Sequence, residues 1–71
     1  MDGWYRLTHH ILVNEETREA VVVYRAFEDR ERFIETAEEL GYKIIAVFNI
    51  SVDDELESLC RNYGEYFPEW C

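Results

Sequence analysis

Positive charge is scarce in this chain. Lys43 is its one lysine, and seven basic residues stand against sixteen Asp and Glu, for a net charge of −9 over 71 residues. That deficit excludes a direct nucleic-acid binder, which needs a basic surface to displace counterions from phosphate. It likewise repels anionic membrane and steers basic proteins inward. Glycine and proline are also rare, at three and one, and 48% of the residues are hydrophobic. A chain of that composition is not disordered. Two cysteines, Cys60 and Cys71, are too few for a disulfide framework and point to the reducing cytoplasm. No apolar run approaches the ~20 residues of a membrane span. The start, Met1-Asp2-Gly3-Trp4, lacks the basic and apolar regions of a signal peptide. The expected location is therefore cytoplasmic.

What the chain has is aromatic bulk: two Trp, five Tyr and four Phe among many Val, Ile and Leu. Seventy-one residues make one domain, 1–71, that buries only about 60% of its unfolded surface. Large aromatics partly compensate for so thin a core.

The apolar pattern predicts α+β structure in the order β-β-α-β-α. Over 4–13, Tyr5, Leu7, Ile11 and Val13 share one face and Arg6, Thr8 and His10 the other, as in a half-buried strand. A polar loop, 14–18, leads to a second strand over 19–26, whose run Ala20-Val21-Val22-Val23-Tyr24 reads as covered on both faces. The period changes over 28–40, where Phe33, Ile34, Ala37 and Leu40 form a helical stripe ended by Gly41. A third strand spans 42–50. Ser51 is expected to cap a second helix, with Asp54 as capping partner, a buried stripe of Val52, Leu56, Leu59, Cys60 and Tyr63, and Gly64 as its end. The simplest packing is a three-stranded mixed sheet with both helices on one face, the second and third strands joined by a parallel crossover. That arrangement leaves Trp4, Leu12 and part of the Val run uncovered, which suggests a homodimer. The aromatic tail, 65–71, has no clear period; large apolar residues favour it as core or dimer contact.

The distribution of charge on the first helix is unusual. On a helical wheel Glu28, Glu31, Glu35, Glu38 and Glu39 gather opposite the apolar stripe, and only Glu28 has an i,i+4 cation, Arg32. The plain reading is a solvated face, and the helix dipole accounts for acids near the helix starts: Glu28, Asp29, Asp53, Asp54 and Glu55. It does not account for Glu38 and Glu39 at a C-terminal end, nor for the like-charge pairs Glu31/Glu35 and Glu35/Glu39. The functional reading is that the carboxylates stand in for phosphates on a basic DNA-binding protein, with Asp53, Asp54 and Glu57 of the second helix and Glu15 and Glu16 of the loop adding to the row.

In size, charge and acidic row the whole chain resembles the small acidic DNA-mimic proteins with which phages disable host factors. It is most similar to the Bacillus phage inhibitors of the nucleoid protein HU. The resemblance implies a non-enzymatic, dimeric inhibitor acting in the host cytoplasm; it carries over no individual site residue. Several such mimics hold negative charge still more densely. The alternative expectation is an adaptor or inhibitor that docks through an apolar patch at Trp4 and the tail, indifferent to salt.

Other chemistry is weakly represented. His9 and His10, adjacent on a strand, would point to opposite faces, and no C-x-x-C or H-x-x-x-H spacing exists, so no metal is expected. Cys60 reads as a small core residue. No phosphate-binding glycine loop is present and no carboxylate pair stands out, so neither catalysis nor a cofactor is expected.

Overall fold

The central hydrophobic run becomes the middle of a sheet. A computed structural model describes residues 3–71; Met1 and Asp2, on which part of the signal-peptide argument rests, lie outside the described residues. The elements are β1 (Trp4–Thr8), β2 (Ile11–Asn14), β3 (Glu19–Tyr24), a 3-10 turn (Phe27–Asp29), α1 (Arg30–Glu39), β4 (Lys43–Asn49), α2 (Asp53–Tyr63) and a second 3-10 turn (Gly64–Tyr66). The sheet order is β1-β2-β3-β4, with β1/β2 and β2/β3 antiparallel and β3/β4 parallel. The α+β class and the parallel crossover are as expected. β3 is buried from Ala20 to Tyr24 because a strand borders it on each side and a layer covers each face.

The sheet has four strands, not three. The segment 4–13 breaks at His9 and His10, which form a tight turn that sets Thr8 opposite Ile11. Alternation concealed this turn because no Gly or Asn marks it. Thr8 Oγ1 accepts the His10 N–H at 3.1 Å, supplying locally what a turn residue normally provides. The Arg6 guanidinium fastens the turn by donating to the His9 carbonyl at 2.8 Å.

The helices lie on opposite faces of the sheet, not on one. Ala37 and Phe33 of α1 pack with Ile11, Val13, Ala20 and Tyr42 on one face. Leu56 and Leu59 of α2, joined by Phe67 and Trp70 of the tail, pack with Leu12, Val21 and Val23 on the other. The reason is in β2 and β3 themselves. Successive residues point to opposite faces, and both strands are apolar throughout, so two apolar surfaces need covers. Leu12 is completely buried and Phe67 with it. The uncovered face that suggested a homodimer is therefore closed within one chain, and the tail belongs to the core.

The helix ends are only partly as expected. Gly41 (φ +91°) closes α1, with its N–H on the Glu38 carbonyl and the Tyr42 N–H on the Ala37 carbonyl, a Schellman pair. Leu40, expected on the buried stripe, is half exposed. At α2 the N-cap is Val52, itself exposed, while the Ser51 hydroxyl donates to the Arg25 carbonyl at 3.4 Å. Glu55 reaches back to accept the Asn49 N–H at 2.8 Å, so it, rather than Asp54, ties the helix start to β4.

Candidate functional site

α1 presents its acids to solvent as the wheel implied. Glu28, Glu31, Glu35, Glu38 and Glu39 are all exposed. Glu31 has Arg30 at 3.5 Å. Arg32 pairs with Asp29 at 3.5 Å, not with Glu28, because Glu28 sits in the 3-10 turn ahead of the helix, where the i,i+4 relation of an α-helix does not hold. Among the described residues no ion pair engages Glu28, Glu35, Glu38 or Glu39. One cation reaches this end of the helix: Arg18 Nη2 donates to the Leu40 carbonyl at 2.8 Å, with its guanidinium 4.1 Å above the Tyr42 ring. It offsets part of the dipole cost of Glu38 and Glu39.

The other expected carboxylates do not join this row. Glu15 is a structural anchor. Its Oε2 accepts the hydroxyls of Tyr5 and Tyr42, each at 2.7 Å, and its Oε1 pairs with Arg18. The Tyr42 and Tyr5 hydrogen bonds, then Arg18, hold its carboxyl below the ordinary range, and the Tyr5 hydroxyl, facing Tyr42 and Glu15, is pushed up. Glu16 folds over Gly3, where a Cβ would come within 2.6 Å of its Oε2. Asp53, Asp54 and Glu57 lie on α2, across the sheet from α1, and Glu57 is paired with Arg61 at 2.6 Å. The ten carboxylates thus do not form one row: Glu31, Glu35, Glu38 and Glu39 share α1 by helical spacing, and Glu28 is exposed in the 3-10 turn before it.

A second cluster escaped the sequence reading. At the other end of the chain Arg6 donates to Glu69 through Nη1 at 3.1 Å and Nη2 at 2.6 Å, and to the Tyr66 carbonyl at 2.7 Å. The Arg6 hydrogen bonds bring the Glu69 carboxyl down to about 2. His9 approaches the same carboxylate at 3.5 Å. Beside this cluster lies a cleft of about 370 Å³ lined by His9, His10, Arg25, Ile50, Glu69 and Trp70. These residues are up to 61 positions apart, and no local spacing links them; the one sequence signal was the pair His9-His10.

Cys60 and Cys71 form a disulfide, with Cα atoms 5.6 Å apart, in place of the free core thiol expected at Cys60. His9 and His10 occupy a turn, so the strand argument that separated them does not apply. Among the described residues no group of three His, Cys, Asp or Glu could hold a metal ion, and no helix is long and apolar enough to cross a membrane.

The chain matches no family model, no curated protein and no solved structure.

Proposed function

We propose that the chain is a non-enzymatic inhibitor, of the phage-encoded kind, that lays the outer face of α1 against the DNA-binding surface of a basic host protein such as a nucleoid-associated protein. The observation that carries this reading is the exposed set Glu28, Glu35, Glu38 and Glu39, which has no ion pair among the described residues, together with Glu31. Ten helical residues extend about 15 Å, about four phosphate steps of one DNA strand at ~3.4 Å each. A partner groove rich in Lys and Arg supplies the charges that this helix lacks. α2 and Glu15 take no part. The reading needs no second copy of the chain.

Action in a host cytoplasm follows from the partner class. There the Cys60–Cys71 pair would be kept reduced, so the binding face must hold without the bridge. α1 lies across the sheet from α2 and the tail that the bridge joins, which is consistent with that demand.

The test is capture of partners from host lysate at low and high salt by the full chain and by the triple variant Glu31→Gln, Glu35→Gln, Glu38→Gln. The reading expects DNA-binding proteins that release together as salt rises and are lost with the triple variant. Unchanged capture by that variant reduces the row to a solvated face. Capture that resists salt and is lost in Phe27→Ala would favour apolar docking instead, since Phe27 is 75% exposed.

A further inference from the structure

The tail changes character at Phe67. Phe67 is completely buried in the cluster of Leu12, Val21, Val23 and Leu59, whereas Pro68, Glu69 and Cys71 beyond it are exposed and Trp70 is half-buried. The Cys60–Cys71 bridge ties this short exposed segment to α2. Arg6 ties it to β1 through the Glu69 carboxylate, at 2.6 Å. Trp70 adds a stack on the Phe67 ring, with centroids 5.6 Å apart and planes 24° from parallel. The Trp70 and Cys71 N–H groups both donate to the Phe67 carbonyl at 3.1 Å, which curls the segment on itself without anchoring it to another element.

These fastenings differ in strength. The side chains of Arg6 and Glu69 are 23% and 34% exposed, so water screens the pair, and ion pairs of that kind shift a population by only about fivefold. One aromatic stack adds up to about tenfold. The covalent bridge constrains the open chain by more than either. It therefore decides whether residues 68–71 stay closed. Opening would stop at Phe67, because exposing that ring costs far more than exposing the residues after it. The bridge is also within reach: Cys71 is exposed and Cys60 half-buried, and access for the attacking thiolate governs exchange.

We propose that the Cys60–Cys71 bridge is a redox latch on the tail, closed when oxidised and, when reduced, releasing residues 68–71 from α2 and β1 while Phe67 stays in the core. The reductant is a small thiol such as glutathione. Its thiolate attacks Cys71, the exposed partner; the S–S bond breaks and Cys60 leaves as a thiolate that takes up a proton. A second thiol then displaces Cys71 from the mixed disulfide, so two thiols become one disulfide and the bridge gains two electrons and two protons. Arg6 keeps its bonds to the Tyr66 and His9 carbonyls, so the segments on either side of the latch stay in place. The open form presents Trp70 and two thiols. The latch lies across the sheet from α1 and is independent of the acidic face. The chain thus takes one form in a reducing medium and another in an oxidising one.

The test records NMR spectra of the isotope-labelled full chain over a series of reduced-to-oxidised glutathione ratios. The Trp70 indole, the Glu69 side chain and the Trp70 and Cys71 amides are expected to pass between two sets of positions with one midpoint. In the reduced form those two amides should exchange with solvent at least about tenfold faster. The Val21 amide and the Leu59 methyl groups should report an intact core. The double variant Cys60→Ala, Cys71→Ala should show the reduced-form positions with no glutathione present. A tail whose resonances stay put on reduction, or keep the oxidised positions in the double variant, overturns the proposal. So does a bridge that stays oxidised throughout the series, or a reduced chain that loses its core signals, since the bridge is then a fixed staple.

Discussion

The α1 face and the tail end of the molecule use charge in opposite ways. At the tail end the Arg6–Glu69 pair is committed. Arg6 alone holds Glu69, the Tyr66 carbonyl and the His9 carbonyl, and its guanidinium sits 4.4 Å over the buried Phe67 ring. On α1, the carboxylates of Glu35, Glu38 and Glu39 have no ion pair among the described residues. Charge at one end joins segments distant in sequence; charge at the other is left for the surroundings. A high count of acids therefore says little until each is asked what it touches, and Glu15 and Glu35 give opposite answers.

That contrast can be broken at several points. The largest effect belongs to Phe67→Ala, which empties the centre of the tail end and should cost about 3–5 kcal/mol in urea unfolding. A loss no greater than that of an exposed residue would mean that the tail is not core. Opening the Cys60–Cys71 bridge, by reduction or by Cys→Ser at both positions, should cost about 3 kcal/mol for a loop of this length. The melting temperature should fall while the α1 amide shifts stay in place.

Smaller effects compare the carboxylates directly. Glu69→Gln should lower the melting temperature and reduce the acid sensitivity of the fold. The sign is fixed by linkage: a carboxyl at about 2 when folded, against an ordinary 4.5, leaves the unfolded chain binding more protons between those values. Its contribution is present above pH 4.5 and is lost as pH falls toward 2, and Glu15 acts in the same direction. Glu35→Gln should do the reverse of Glu69→Gln, raising stability by roughly 0.2–0.5 kcal/mol through relief of its like-charge neighbours. A destabilised Glu35→Gln would show that the acidic row is structural after all.

Much of the fold was legible from pattern. The Val run marked the central strand, the stripe through Phe33 and Ala37 with Gly41 behind it marked α1, and Leu56 and Leu59 marked α2. The misreadings share one cause. A strand turned at His9–His10 reads as continuous because its fastening comes from Arg6 and Thr8 rather than from Gly or Asn. Two helices read as sharing a face because alternation within β2 and β3 shows that both faces are apolar, but not which element covers which. Of the ten candidate carboxylates, the four on α1 were legible as one face because helical spacing is local, whereas Glu28 lies in the 3-10 turn ahead of that spacing. Glu15 was not, because its partners Tyr5 and Tyr42 are ten and twenty-seven residues away.

By itself the sequence determined the composition of charge, the α+β class and the solvent exposure of the α1 acids, since these depend on residue type and on neighbours within a turn or a strand. Only the tertiary structure decided which acids were free, which face each helix covered, that Cys60 meets Cys71, and that Arg25, His10 and Trp70 share one cleft. Those are outcomes of long-range packing, in which a side chain's role is set by whichever distant segment the core brings against it.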